Sequence, residues 1–225
     1  MPETAVATLR TTPKSDSTPS LIYLEAGADF VIPIVFPDYE IQVQDAHELV
    51  VLGQKIKTPQ IKAPYLGHAG VLIVNGKTGA TRYGEYGRYQ GSGPPGLVRI
   101  SPVPDVVIKS NAITESSLKR TLRFISLRFG QSSNTSGVVL RGNTFDAAVA
   151  WLEKKRAENS DMNRKSYDLG NHNCITFVAD LVDELGLGAP FRTRVVVPNL
   201  YIEQFQLTQP DLDYIFETDM LEITD

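Results

Sequence analysis

The protein's single cysteine, Cys174, stands in Asn171-His172-Asn173-Cys174-Ile175-Thr176-Phe177-Val178, where a polar loop meets an apolar-periodic run. Ile175, Val178, Leu181, Val182 and Leu185 recur at the three- and four-residue spacing of one buried helical face. Asn173 is placed to cap the first turn, and Gly186 to end the helix. A thiol in that first turn faces unpaired backbone N–H groups and the positive end of the helix dipole. Both favour the thiolate, the form that attacks carbonyls. The plainer alternative is a small buried hydrophobe.

Such a nucleophile needs a base, and the chain has three histidines, His47, His68 and His172. His68 lies in Gly67-His68-Ala69-Gly70, whose small residues admit close approach, and an apolar strand-like run follows. His172 is two residues before Cys174 and reaches the sulfur only through a sharp bend. His47, among Asp45 and Glu48, has no comparable setting. The assignment is therefore Cys174 as nucleophile and His68 as base.

The third group follows from a hairpin. Leu66 to Val74 reads as a buried strand, Asn75-Gly76-Lys77-Thr78-Gly79 as its turn, and Ala80 to Tyr86 as the partner strand. Facing residues of an antiparallel pair have a constant index sum, and every second residue shares a face. Loops of two, four or six residues all put Tyr83, Glu85 and Gly87 on the face of His68; the four-residue loop sets Glu85 directly opposite it. Glu85 is the candidate that orients the imidazole, with Tyr83 as substitute. An exposed hairpin glutamate is the competing reading.

Asn-Cys-x-x-Phe-Val at a helix start, with Gly-His-Ala-Gly on a strand far upstream, resembles the circularly permuted branch of the papain-like NlpC superfamily, in which the histidine precedes the cysteine. The stretch Gly67 to Tyr89 is similar to the amidase effectors of this branch that type VI secretion delivers. The resemblance covers residues 65 to 190. It implies an α+β, papain-like fold, with an antiparallel sheet packed against the cysteine-bearing helix. It also implies an antibacterial cysteine amidase or endopeptidase that cuts peptidoglycan peptides in a rival's periplasm. An immunity protein and a secretion-machine component are its expected partners. Relatives resembling lecithin-retinol acyltransferases, which act on lipid esters, share the motif and give the alternative. A catalytically inert binding shell is the third reading.

The rest of the chain must position these residues. Its 225 residues, 42% hydrophobic and 21% charged, suit one globular domain. The expected division is a disordered lead over 1–20, rich in Thr, Ser and Pro, and a catalytic domain over 21–225. A net charge of −4 argues against nucleic-acid binding. One cysteine permits no intrachain disulfide, and with three scattered histidines it makes a structural zinc site improbable; no cofactor is expected. The start carries no signal-peptide core, and the run Phe30–Phe36 is too short to span a bilayer. The expectation is synthesis in the bacterial cytoplasm, without membrane insertion, followed by delivery.

Phe30–Phe36 reads as a strand, with Pro33 marking an edge or a bulge. Leu97–Ile100, Val103–Ile108, Val138–Leu140 and Arg192–Pro198 read as further strands. Helices are expected after Thr114, to Gly130, and after Asn143 or Thr144. Tyr83, Tyr86 and Tyr89 with Arg82 and Arg88 suggest a substrate groove, against ordinary strand packing. Gly91 to Gly96 reads as a loop overhanging the site. Backbone N–H groups at the start of the Cys174 helix are the expected oxyanion donors, with Asn171 or Asn173 as possible helpers. Asp180, Asp183 and Glu184 read as solvated. The acidic end, Asp211 to Asp225, is either a packed extension or a tail for a partner.

Overall fold

The computed structural model describes residues 27–44, 48–51, 54–57, 61–63, 66–89, 91–109, 112–192 and 196–224. The expected lead over 1–20 lies outside the described residues, as do His47 and positions 193–195 of the expected strand before Pro198.

In chain order the first elements are β1 (Asp29–Phe36), β2 (Ile41–Gln44), β3 (Glu48–Val51), β4 (Gln54–Lys57) and β5 (Ile61–Ala63). Then come β6 (His68–Val74), β7 (Thr81–Gly87), β8 (Leu97–Pro102), β9 (Ile108–Lys109), β10 (Ala112–Ile113) and α1 (Glu115–Phe129). The last are β11 (Thr135–Val138), β12 (Leu140–Gly142), α2 (Phe145–Ala157), α3 (Cys174–Glu184), α4 (Pro198–Gln206), β13 (Asp211–Ile215) and β14 (Met220–Thr224). An antiparallel sheet runs β14-β13-β11-β1-β6-β7-β8, with β12 also on β1. The fold is mixed α+β. Among the described residues no helix is long and apolar enough to cross a membrane.

The sheet is covered on both sides. Phe30, Ile32, Ile34, Phe36, Leu72 and Tyr83 pack with Leu118, Leu122 and Ile125 of α1. The alternate residues Val31, Val35, Ala69, Val71 and Ile73 pack with Ala148 of α2, Ile175, Val178 and Leu181 of α3, and Ile202 and Phe205 of α4. That is why β1 and β6 read as unbroken apolar runs.

β1 is an interior strand, paired with β6 on one side and with β11 and β12 on the other. The edge reading of Pro33 is thus corrected. Proline lacks an N–H, and it falls where the partner changes from β12 to β11, so no ladder bond is missed there. The register is the same on either side of this gap, and the Val139 N–H between the two strands turns away to Pro210 O at 3.0 Å.

Other departures have local causes. Residues 103–107 form no strand; Pro104 O accepts from Thr121 of α1, and Asp105 accepts from the Thr81 N–H. Val196 is likewise outside any strand, its N–H bonded to Gly170 O, and α4 begins at once with Pro198 in its first turn. Thr144 precedes α2 but its hydroxyl makes no cap; Asp29 of β1 accepts from the Thr144 and Phe145 N–H groups at 3.0 and 2.9 Å. The acidic end is a packed extension, with Leu212 and Tyr214 fully buried in β13.

Candidate active site

α3 starts on a tightly tied residue. Asn173 is extended (φ −130°), and its Oδ1 accepts from the Ile175 and Thr176 N–H groups at 3.1 Å. Thr176 Oγ1 accepts from the Asn173 N–H at 2.9 Å, closing a capping box. The Asn173 amide nitrogen donates to Leu169 O and Val196 O at 2.7 and 3.0 Å. Its amide thus joins three chain segments and is occupied, so the helper role considered for Asn173 falls away. At the far end, Gly186 takes φ +66°, and the Gly186 and Leu187 N–H groups bond to Asp183 O and Val182 O, the expected glycine stop.

His68 opens β6. Gly67 before it takes φ +75°, and a side chain there would strike Asn199. By strand alternation His68 shares the face of Gly70 and Leu72, toward α1, whereas Cys174 belongs to the helix on the other face. They meet because His68 is the strand's first residue, at the end of the sheet. There the His68 side chain and the Ala69 N–H come near enough to Cys174 to pull its pKa down.

The hairpin has the six-residue loop, Val74 pairing with Thr81. Asn75 Oδ1 holds it, accepting from the Lys77 and Thr78 N–H groups. Glu85 therefore faces Gly70 and not His68. It is still on the His68 face, and its Oε2 reaches His68 Nε2 diagonally at 3.1 Å. This leaves Nδ1 of the imidazole for the sulfur. Tyr83 Oη also donates to Glu85 Oε2, at 3.0 Å, and Tyr89 Oη to Oε1, at 2.7 Å. The exposed-hairpin reading of Glu85 fails, since only 1% of the residue is accessible.

These contacts decide the protonation states. Burial pushes the Cys174 thiol up, but the bond and charge of His68, the Ala69 N–H and the Tyr167 hydroxyl outweigh it, and the thiol sits below the usual 9.0. Burial pulls His68 down; the Cys174 sulfur and then Glu85 outweigh this and carry it up to about 10. Burial raises the Glu85 carboxyl, yet His68, Tyr89 and Tyr83 together hold it below 4.5. The three directions, thiol down, imidazole up and carboxyl down, all favour a thiolate–imidazolium pair with an ionised carboxylate behind.

Two side chains at this site escaped the sequence reading. Tyr167 Oη points at Cys174 Sγ from 4.0 Å, and burial followed by the sulfur's charge raises its phenol, so it remains a donor. Tyr39 lies over the His68 ring with centroids 4.9 Å apart. A tyrosine seven residues before the cysteine was a visible cue; nothing local marked Tyr39, which reaches His68 only because Phe36 pairs with it across β1 and β6. His172 is not brought to the sulfur: its Nδ1 meets Ser166 O at 2.9 Å, and its ring stands edge-on to Tyr86.

Cys174 has no accessible surface, and the site is closed. A cavity of about 30 Å³ touches the sulfur, walled by Leu66, Tyr167, Leu169, Val196 and Pro198. The loop over 91–96 is pinned beside it: Arg164 donates to Ser92, Pro94 and Gly96 carbonyls, and the Tyr167 N–H bonds to Pro95 O. The aromatic groove is corrected. Tyr83 and Tyr86 are buried on opposite faces of the sheet. Asp180 and Asp183 are exposed, as expected, and pair with Arg192 on the surface.

A family model described as type VI secretion system effector TseH-like matches residues 31–185. Among solved structures, the crystal structure of the type VI secretion system effector TseH is similar, with 48% identity and a TM-score of 0.77. The match spans 88% of this chain and 98% of that one. No curated protein matches.

Proposed function

The chain belongs to the TseH-like family of type VI secretion system effectors, and from that premise we propose that it is a papain-like cysteine hydrolase cutting amide bonds of peptidoglycan peptides. The observation that carries this reading is the His68–Glu85 hydrogen bond at 3.1 Å, with a buried Cys174 whose pKa His68 pulls down. The Cys174 thiolate adds to the amide carbonyl carbon. Backbone N–H groups at the start of α3 receive the negative charge that develops on the oxygen. The His68 imidazolium gives its proton to the departing amine, leaving a thioester. Neutral His68 then takes a proton from water, the hydroxyl adds to the thioester, and the acid leaves as the thiolate re-forms. Glu85 stays ionised throughout and keeps the imidazole in one tautomer and orientation.

Catalysis is assigned to one domain over 21–225, acting in the periplasm of a rival cell after delivery by the secretion machine, with a cognate immunity protein in the producer. A lipid ester is the rival substrate. The cavity lined by Cys174, about 30 Å³, holds neither an acyl chain nor a peptide, so the choice of the peptide rests on the family. The inert-shell reading gains if His68 and Cys174 stand apart, and the shifts each induces in the other's pKa weigh against it.

Mass analysis of muropeptides after digestion is the test. Wild-type protein is expected to release fragments with new amine ends, and Cys174→Ala none, while its circular dichroism stays that of wild type and it still melts cooperatively. Hydrolysis that persists in Cys174→Ala would end the cysteine mechanism; fatty-acid release from phospholipid in place of new amines would transfer it to lipids.

A further inference from the structure

Glu85 is gripped from more directions than its bond to His68 requires. His68 and Tyr83 both address Oε2, while Oε1 takes its bond from Tyr89. Tyr89 lies two residues beyond the end of β7, yet its ring folds back over the strand. It can do so because position 87 is glycine: a Cβ there would stand 2.6 Å from the Tyr89 ring. On β8, Arg99 pairs directly across from Glu85, and its guanidinium carbon sits 3.3 Å from the Tyr89 ring centroid. A cation over the ring draws on its π electrons, which makes the hydroxyl a better donor.

We propose that Tyr89 is a positioning residue for the reaction: folded over Gly87 and capped by Arg99, its phenol keeps the Glu85 carboxylate ionised and aimed at His68. The proposal rests on the reading of Cys174, His68 and Glu85 as the reactive set. The physical need is plain. A carboxylate with 1% of its residue accessible has little water to solvate its charge, and without enough donors it takes up a proton. Once protonated, Glu85 no longer counters the imidazolium, and the thiolate loses its partner. Tyr89 therefore sets how far the pH can fall before the reactive pair collapses. Tyr83 supports the same carboxylate from within the α1-side core, through a gap that Gly70 leaves open.

The experiment is the pH profile of kcat and KM on purified muropeptides, for wild type, Tyr89→Phe, Gly87→Ala and Cys174→Ala. Tyr89→Phe keeps the ring and its stacking with Arg99 and removes one hydroxyl. Its acid limb is expected to move up by about one pH unit, the scale of one lost bond to a buried carboxylate. Well below pH 4.5 kcat falls about tenfold, and the loss shrinks toward neutral pH, with KM unchanged. Gly87→Ala, which displaces the ring, moves the limb the same way. An acid limb that stays in place in Tyr89→Phe, with or without lower stability, overturns the proposal and leaves Tyr89 as packing. Undiminished hydrolysis by Cys174→Ala removes the underlying reading and this inference with it.

Discussion

A carboxylate buried against an imidazole has sharp requirements at each residue. Glu85→Gln preserves size, but its amide nitrogen faces donors whichever oxygen it replaces: the Tyr89 phenol at one, the Tyr83 phenol and the imidazole at the other. kcat is expected to fall by roughly 10²–10⁴-fold, as when a buried orienting carboxylate loses its charge, with little change in KM; steady-state kinetics on muropeptides checks it. The alkaline limb of the same profile belongs to His68. Its pKa is raised to about 10, so the proton it donates to the departing amine is retained up to that pH and activity declines above it. At this scale the sequence was highly legible. The period of two along β7 is a local property, so Glu85 was assignable to the His68 face without knowing the loop length. The choice of facing residue was not, because the loop adopted depends on how Asn75 folds onto its own backbone. Tyr39 and Tyr167 escaped because neither shares a strand or helix with the residues they touch.

Elements hold the site through bonds that cross between them. Asp29 is a case: one carboxylate on β1 caps α2 through Oδ2 and holds the Gly76 N–H of the β6–β7 turn through Oδ1. Asp29→Ala is expected to cost about 1–2 kcal/mol, the upper part of the range for a lost helix cap, measured as a lower urea midpoint. Asp29→Asn, which keeps acceptor capacity, should recover part of it. The same element shows why β1 was misread in one respect. Its composition announced a buried strand, but whether a proline is tolerated in the interior depends on the strand laid against it. Here two short strands with a gap at Pro33 supply the answer, and both lie a hundred residues away. α3 was readable from end to end because cap, apolar face and glycine stop are all written within its own span.

For the molecule as a whole, the thiolate–imidazolium pair ties stability to pH in a two-sided way. His68 is raised from 6.5 to about 10, so by itself its contribution is full below 6.5 and lost as pH rises through 10. Cys174 is lowered from 9.0, so its contribution is full above 9.0 and lost as pH falls through its folded value. Above 9.0 the unfolded pair holds no proton while the folded pair keeps one on His68 up to about 10, so the pair's contribution falls there as pH rises. The difference in melting temperature between wild type and Cys174→Ala, followed across pH, should decline above pH 9; a difference that grows there would contradict the ion pair. The sealed sulfur has a last consequence, for survival outside a reducing cell. Peroxides and small disulfides must touch a thiolate to convert it to sulfenic acid or a mixed disulfide, and Cys174 offers them no surface. The resting protein thus carries its most oxidisable atom in a sheath, and it arrives with its chemistry unspent.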